Sequence, residues 1–341
     1  MPGYARYRSF SEDVYMNMEE IVTLSVKHNV SDLHLCNAWP ARWRKRGRIE
    51  NAPFIAPDVD MLLRDWLNDA QQYQWRTHGQ LDFAVSLSGA QRLRASAFRH
   101  QQGASLALRL LPDRCPSLEE IQTPPIVPTL LASENGLILV TGATGSGKST
   151  TLAAMVGYLN HHVDKHILTL EDPIEYRYAS QRCLIQQREV GQHCATFAAG
   201  LRAALREDPD VILLGELRDS ETIHLALTAA ETGHLVLATL HTRGAAQAIE
   251  RLVDSFPAQE KEPMRRQLAG SLRAVLSQKL EADKLEGRVA LFELLINTPA
   301  TGNLIREGKL HQLPHVIQTG QQQGMMTFAQ SAQWRQTQGR L

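Results

Sequence analysis

The hydrophobic and polar positions divide the chain into two parts with different patterns. In the first part, short segments in which apolar and polar residues alternate follow one another closely, and a helical pattern at 58–75 interrupts them. Alternation of this kind is typical of strands. The strand-like segments are 32–36, 41–44, 81–87, 92–98 and 104–110. Short strands with one or two helices predict a small α+β domain, which begins with helical periodicity near Met18.

The second part alternates apolar strands with helical segments as far as about residue 280. This order is typical of a mostly parallel sheet with helices on both faces. The predicted fold class is therefore α/β, with an α+β domain at 18–111 and a larger domain at 129–341 that ends in a helical region. Prolines at positions 112, 116, 124, 125 and 128 predict a linker over 112–128.

The first 17 residues are polar and lack periodicity, which predicts a disordered extension. Whether the functional chain starts at Met1, Met16 or Met18 stays open at this point. The sequence contains no apolar run that approaches the ~18 residues of a membrane span, and its N-terminus lacks the apolar core of a signal peptide. These features predict a cytoplasmic protein without a transmembrane segment.

The charges balance, with 36 basic and 36 acidic residues in a chain of 341. Because no net charge draws the chain to nucleic acid, we expect no specific nucleic-acid partner. The four cysteines lack the close paired spacing of zinc sites, so no zinc is expected. They are Cys36, Cys115, Cys183 and Cys194.

Residues 142–150 carry the pattern Gly-x-x-x-x-Gly-Lys-Ser between an apolar strand and a helix. In such a loop, glycines let backbone N–H groups turn toward phosphate oxygens, and the helix N-terminus adds partial positive charge. Lys148 is expected to reach the β- and γ-phosphates, and the Ser149 hydroxyl to bind Mg²⁺. The pattern therefore predicts a site for a nucleoside triphosphate and Mg²⁺. The predicted cradle consists of Gly142, Ala143, Thr144, Gly145, Ser146, Gly147, Lys148, Ser149 and Thr150.

Two further strands end in acidic residues. The first is followed by Glu171, Asp172 and Glu175, and hydrolysis requires a carboxylate that orients and deprotonates a water molecule. The second, at 211–214, is followed by Gly215 and Glu216. An acid in this place is expected to hold Mg²⁺ directly or through water. Both acidic groups lie where parallel sheets place their ligands, at the carboxyl ends of strands.

Arg202 and Arg206 precede the second acidic strand and are four residues apart, which predicts one helix face for both. The residues themselves leave two readings open: contact with the γ-phosphate, or a surface pair with Glu207 or Asp208.

Histidines flank the apolar strand 235–240, and a straight strand places them roughly 20 Å apart. His241, at the carboxyl end, suits a sensor of the γ-phosphate. His234 is expected to cap the preceding turn, to contact another element or to lie in a subunit interface.

These four blocks, in this order, resemble the secretion ATPase superfamily of type II secretion and type IV pilus systems (the GspE family). They correspond to the Walker A motif, an Asp box at 170–175, the Walker B motif and a His box. The resemblance covers 18–341 and is greatest to the PilT-type pilus retraction ATPases. It implies a PAS-like N-terminal domain, a RecA-like ATPase domain, a homo-hexamer and an inner-membrane platform protein as partner, with peripheral attachment to that membrane.

The resemblance also implies roles for individual residues. Glu175 would be the catalytic base and Glu216 the Mg²⁺ acid. Four arginines would contact or face nucleotide, the last two at domain or subunit boundaries: Arg202, Arg206, Arg94 and Arg109. The implied function is an ATP-hydrolysing motor that retracts a type IV pilus or a related secretion pseudopilus.

One departure from the retraction family falls at 300–307. The family sequence Ala-Ile-Arg-Asn-Leu-Ile-Arg-Glu here has Thr301 and Gly302 in place of its Ile and first Arg. We therefore expect intact ATPase activity with weakened or redirected coupling to a standard pilus. Two other function classes remain: a VirB-type DNA-transport or secretion ATPase, and a nucleotide-binding module uncoupled from a pilus.

Overall fold

The computed structural model describes residues 16–45, 47–87, 91–112, 114–284 and 287–341. The chain divides into two compact units, Met1–Asp113 and Arg114–Leu341. The first 17 residues were predicted to form a disordered extension, and positions 1–15 of it lie outside the described residues. Asn17, by contrast, belongs to the first unit, because its side chain caps the first helix.

The first unit is an antiparallel sheet covered on one face by helices. Within its described part the sheet has six strands in the order β3-β2-β1-β6-β5-β4. Strand alternation buries Leu33 and Leu35 in the core and leaves Asp32 and His34 on the other face. The elements are α1 (Met18–Lys27), β1 (Val30–Cys36), β2 (Trp39–Lys45), β3 (Arg48–Asn51), α2 (Val59–Trp66), α3 (Asp69–His78), β4 (Gln80–Ser86), β5 (Arg92–His100) and β6 (Gly103–Leu110).

The single helix predicted at 58–75 is wrong, since the structure forms two helices there. The first helix ends at Trp66, and Asn68 begins the second. The Asn68 side chain accepts a hydrogen bond of 2.9 Å from the backbone N–H of Gln71, and the Gln71 side chain accepts one of 3.1 Å from that of Asn68. This reciprocal cap satisfies helix-terminal donors and therefore favours a new helix start.

The second unit is built on a sheet of seven strands in the order β13-β12-β7-β11-β10-β8-β9, counted over the described residues. All neighbours are parallel except β13, which is antiparallel to β12. The elements are α4 (Val127–Leu131), β7 (Gly136–Thr141), α5 (Lys148–His162), β8 (His166–Glu171), β9 (Leu184–Glu189), α6 (Phe197–Ala204), β10 (Val211–Leu214), α7 (Ser220–Glu231), β11 (Leu235–Leu240), α8 (Ala245–Asp254), α9 (Lys261–Ser271), β12 (Leu272–Ala282), β13 (Arg288–Ile296), α10 (Pro299–Arg306), α11 (Leu313–Thr319) and α12 (Phe328–Thr337), with 3-10 turns at Ala258–Glu260, Leu310–Gln312 and Gln321–Gln323.

Helices cover both faces of this second sheet. Along β7, Leu137 and Leu139 belong to one buried cluster, whereas Ile138 and Val140 belong to the cluster on the opposite face. A strand buried on both faces has no polar side, which explains its uninterrupted apolar sequence. The arrangement confirms the predicted α/β class.

Most of the segment predicted as a linker packs into the second unit. Leu118 and Val127 are buried in the same cluster as α5. The fully buried guanidinium of Arg335, in α12, donates to the backbone oxygen of Gln122 at 2.7 Å and to its side-chain oxygen at 2.8 Å. Leu118, Gln122 and Val127 therefore pack within the second unit, and the linker over 112–128 stays a prediction.

Candidate functional site

The phosphate loop connects the end of β7 to the start of α5, as the pattern predicts. Gly145 and Gly147 have φ values of +78° and +90°, in the left-handed region that favours glycine. At Gly142, a Cβ atom would lie 2.4 Å from the backbone oxygen of Gln278. The glycines of the motif are therefore required by the shape of the loop.

The side chain of Gln278, on β12, holds this loop through hydrogen bonds. Its buried amide donates to the backbone oxygen of Ser146 at 2.7 Å and accepts from the Thr151 hydroxyl at 2.6 Å. The sequence analysis missed Gln278. The available signal was a polar residue in an otherwise apolar strand, because a buried amide normally has hydrogen-bond partners.

Lys148 is buried, and its ammonium group donates to the backbone oxygens of Gly142 and Ala143, each at 3.0 Å. The ammonium nitrogen also lies 3.4 Å from Nδ1 of His241. Burial lowers the pKa of Lys148, while the carboxylates of Glu216 and Glu175 act in the opposite direction. The lysine is thus held at the mouth of the loop, in the field of two carboxylates.

Glu216 joins the His box to the Asp box. One of its carboxylate oxygens lies 3.3 Å from Nε2 of His241, and the other pairs with the guanidinium of Arg218. Arg218 also lies 3.5 Å from the carboxylate of Asp172. These contacts form a continuous row of side chains from Lys148 to Asp172, along the carboxyl ends of the parallel strands. The sequence analysis missed Arg218, whose only signal was its position two residues after the Walker B acid.

The three acids of the Asp box occupy different environments. Glu171 is buried and accepts hydrogen bonds from the Thr169 hydroxyl at 2.7 Å and from the Gln187 amide at 3.1 Å. Burial raises the pKa of Glu171 to about 7. Asp172 is exposed and pairs with Arg218, whereas Glu175 acts on the ammonium group of Lys148. These environments favour Glu175 for chemistry at the phosphate loop.

The residues present fit an ATP-bound Mg²⁺ ion. Ser149 is exposed in the first turn of α5, and Glu216 follows the Walker B strand β10. Both side chains offer oxygen atoms, which Mg²⁺ prefers. The buried Ser146 hydroxyl has no hydrogen-bond partner among the described residues, which leaves an orphaned polar atom inside the cradle. Within the described ranges, no group of three or more His, Cys, Asp or Glu side chains could hold a metal. A loop of this kind needs few protein ligands, because the substrate phosphates supply others.

The structure places Arg202 and Arg206 differently from the prediction of a shared helix face. Helix α6 ends at Ala204, so Arg206 lies beyond it. Arg202 pairs with Glu221, at the start of α7, rather than with Glu207 or Asp208. The partner of Glu207 is Arg188, at 2.9 Å. Both arginines remain exposed at the surface of the second unit.

Arg94 and Arg109 are direct neighbours on β5 and β6 of the first unit. The guanidinium of Arg109 donates to the carboxylate of Asp32 at 2.8 Å, and Asp32 lies opposite Arg44 on the adjacent strand. The three arginines and one aspartate form a row across the sheet, on the face opposite to the one that buries Leu33 and Leu35. Their net charge is positive.

His234 follows helix α7, and its Nδ1 atom lies 3.0 Å from the backbone oxygen of Ala229. The ring therefore caps the end of that helix, which is one of the roles expected for it. The structure separates the two histidines as the length of the strand requires, with His241 alone beside Lys148.

Fold and site together define a P-loop ATPase with an additional N-terminal α+β unit. The family model described as Type II/IV secretion system protein matches residues 68–340, and the chain belongs to this family. The chain is 80% identical to the Escherichia coli (strain K12) protein YggR over 326 residues, which cover 96% of this chain and all of that protein. It is 47% identical to the type IV pilus retraction ATPase PilT of Pseudomonas aeruginosa, over 92% of each chain.

Solved structures agree with this assignment. The crystal structure of the pilus retraction motor PilT with bound ADP has a TM-score of 0.87 and 41% identity, over 96% of this chain and 94% of that one. The Legionella pneumophila ATPase DotB has a TM-score of 0.82 and 28% identity, over 97% and 95%. These findings confirm the predicted family and ATPase activity. Over the described residues, we found no helix with the length and apolar character needed to cross a membrane.

Proposed function

We propose that this ATPase is a motor that powers retraction of a type IV pilus or of a related secretion pseudopilus. The observation that carries the proposal is the contact of Lys148 and Glu216 with the same histidine, His241, at the phosphate loop. Relatives with the same fold are named for pilus retraction, and a 50% identical relative from Neisseria gonorrhoeae is named a twitching motility protein.

In the proposed mechanism, the backbone N–H groups of the loop and Lys148 bind the β- and γ-phosphates of ATP. Lys148 exchanges its bonds with the loop oxygens for bonds with phosphate oxygens. Glu175 orients a water molecule and accepts its proton as the water oxygen bonds to the γ-phosphorus. The bond between the γ-phosphorus and the β,γ-bridging oxygen breaks in the same step, so ADP leaves with that oxygen and inorganic phosphate is formed. A Mg²⁺ ion held by Ser149 and Glu216 would supply neutralisation of phosphate charge.

His241 is proposed to sense the γ-phosphate. It contacts Lys148 on one side and Glu216 on the other, so any movement of the lysine toward phosphate changes the histidine environment. The same change reaches Asp172 through Arg218. The state of the nucleotide is in this way transmitted to the Asp box.

The active form is proposed to be a homo-hexamer that works on an inner-membrane platform protein, with the chain on the cytoplasmic side of that membrane. We propose that four arginines then complete a nucleotide site at a boundary between subunits: Arg94, Arg109, Arg202 and Arg206. Their positive charge supports this, as does the exposure of Arg109, Arg202 and Arg206, because arginines supplied from outside a P-loop site stabilise the charge that develops on phosphate.

The departure at 301–302 concerns packing inside the second unit. Thr301 is fully buried, and a Cβ atom on Gly302 would lie 3.5 Å from the backbone oxygen of Ala269 in α9. The two positions therefore join α10 to α9. Weakened coupling remains a hypothesis, and it would have to act through this helix contact.

Complementation tests the proposed function. The chain is expressed in a piliated bacterium that lacks its own retraction ATPase, and twitching is scored beside the Lys148→Ala variant. Restored twitching with the chain and none with the variant supports retraction. Partial rescue supports weakened coupling, and full rescue contradicts it. If the chain hydrolyses ATP but does not rescue twitching, a Thr301→Ile plus Gly302→Arg variant decides the outcome. Gain of twitching at unchanged ATP turnover supports weakened or redirected coupling, and no gain contradicts the pilus function.

A further inference from the structure

We propose that Gln187 is a positioning residue for ATP hydrolysis, which fixes the backbone around Glu175. This inference rests on the proposed role of Glu175 as the base. Gln187 lies on β9, outside the four motifs, and nothing in its immediate sequence marks it as part of a nucleotide site. The Asp-box loop that carries Glu175 joins β8 to β9, so β9 lies directly beside the segment that must be held.

The Gln187 amide makes three hydrogen bonds, one to the Asp box and two to the backbone directly after it. Its nitrogen donates to the carboxylate of Glu171 at 3.1 Å and to the backbone oxygen of Tyr176 at 2.8 Å. Its oxygen accepts from the backbone N–H of Tyr178 at 3.0 Å. Both amide hydrogens and the oxygen are therefore committed, and the bonds to the backbone lie one and three residues after Glu175.

The other side of Glu175 is held by neighbouring groups. The backbone N–H of Glu175 hydrogen-bonds to the Glu171 carboxylate, which Gln187 also contacts. One residue earlier, the backbone N–H of Ile174 donates to the carboxylate of Glu189 at 3.0 Å. Side chains of β8 and β9 thus bind the loop backbone at 174, 175, 176 and 178 and hold its path.

The loop is also connected to the phosphate-binding helix. The Tyr176 hydroxyl lies 3.0 Å from the Thr150 hydroxyl in α5, while the backbone oxygen of the same tyrosine is bound by Gln187. Gln187 thus fixes the Asp box relative to the helix that begins with Lys148. A displacement of about 1 Å in a reacting group can lower a rate about 100-fold, so this fixation matters for turnover.

The position requires an amide. A glutamate at 187 has nearly the same shape, but it offers no donor to the Glu171 carboxylate or to the Tyr176 oxygen. Two acceptors would then face each other, with an added charge repulsion, and the loop would have to move away. Gln187→Glu is therefore a sharp test, and Gln187→Met removes the hydrogen bonds without adding charge.

The matched control is Gln186→Glu. Gln186 is the preceding residue of the same strand, its side chain is exposed on the opposite face, and its oxygen contacts Nε2 of His166. The control introduces the same charge one position away without touching the Asp box. The three substitutions Gln187→Glu, Gln187→Met and Gln186→Glu are made in the full chain. Each is also combined with Glu175→Gln, which is made alone as well.

The experiment measures kcat and KM for ATP by phosphate release, and affinity for a fluorescent ADP analogue. We expect Gln187→Glu and Gln187→Met to lower kcat at least tenfold, on the order of the effect of misplacing a reacting group. KM and ADP affinity should stay within about threefold, since the phosphate loop is intact. Gln186→Glu should behave as the parent chain.

Non-additivity separates positioning from general damage. In the Glu175→Gln background, Gln187→Met should cause no further loss of turnover, because the group that it positions is already disabled. A further loss equal to that in the parent chain would overturn the proposal, as would a kcat within twofold of the parent. If Glu175→Gln itself retains parental turnover, the base assignment fails, which is a separate result from parental turnover in Gln187→Met alone.

Discussion

The ammonium nitrogen of Lys148 lies 3.4 Å from Nδ1 of His241, although 93 positions separate the two residues along the chain. The contact joins the phosphate loop at the end of β7 to the end of the neighbouring strand β11. Because the other ring nitrogen of His241 faces Glu216, the histidine lies between the phosphate-binding cation and the Walker B acid.

We expect His241→Ala to lower kcat by about 100-fold, the usual cost of removing one group that stabilises transition-state charge. ADP affinity should change little, because Lys148 and the loop remain. The matched control is His234→Ala, at the other end of the same strand, where the ring only caps a helix. Steady-state phosphate release checks both variants, and equal losses in the two would contradict a sensor role for His241.

Glu175→Gln should bind ATP with near-parental affinity and lose at least about 100-fold in turnover, because only the general base is neutralised. Lys148→Ala should instead lose nucleotide binding, since it removes the cation at the β- and γ-phosphates. Equilibrium binding of a fluorescent nucleotide and phosphate release distinguish the two classes. Parental turnover in Glu175→Gln would move the base assignment to Asp172 or Glu171.

The pKa of Glu171 leads to a prediction for stability. Its ordinary value is 4.5, and burial raises it to about 7 in the folded chain. Between these values the folded chain keeps a proton that the unfolded chain has released, so the unfolding free energy falls as pH rises through this window. The difference corresponds to about 3 kcal/mol as an upper limit.

Glu171→Gln removes this ionisation and keeps an acceptor oxygen for Thr169 and Gln187. We therefore expect the variant to melt at a higher temperature than the parent at pH 8, with the gap closing toward pH 5. Thermal unfolding followed by fluorescence across this range is the measurement. A Tm difference that does not depend on pH would show that the burial of charge is not its cause.

The proposed ring predicts that activity per chain falls on dilution, because an edge site is incomplete without groups from a neighbour. Arg94→Ala should lower kcat at least about tenfold without lowering Tm, a smaller effect than the ~10³-fold or more that a full arginine finger contributes at a P-loop site. Arg64→Ala, an exposed arginine on α2, is the control. Light scattering with ATP and activity across a dilution series test the prediction; a monomer of constant specific activity would refute it.

The parts of the site that sequence reasoning reached are those whose chemistry is local. The phosphate loop needs glycines at left-handed φ next to a lysine, and this requirement is visible within nine residues. The two-sided burial of β7 is equally visible as an apolar run. The acids after β8 and β10 could be placed together because parallel strands end at the same edge of a sheet.

The parts that sequence reasoning did not reach depend on pairing between distant segments. Gln278 supports the loop only because β12 pairs with β7, and no local pattern specifies that pairing. Arg202 pairs with Glu221 because α6 and α7 are adjacent. Its spacing of four from Arg206 would place both arginines on one helix face only if α6 continued past Ala204, where it ends. The helix start at Asn68 is a different case, because its capping pattern with Gln71 is local and can be recognised in the sequence.

The buried guanidinium of Arg335 ties the last helix to a segment more than 200 positions earlier, since its bonds to Gln122 span 213 residues. The side chain of Arg335 thus connects the last helix of the second unit to a segment near its beginning. A fragment trimmed before α12 would lose the donor that pairs with the oxygen atoms of Gln122, and one trimmed after Gln122 would deprive the buried guanidinium of Arg335 of these acceptors. Expression boundaries for an isolated ATPase unit therefore have to retain both extremities, however dispensable the final residues look beside the nucleotide motifs.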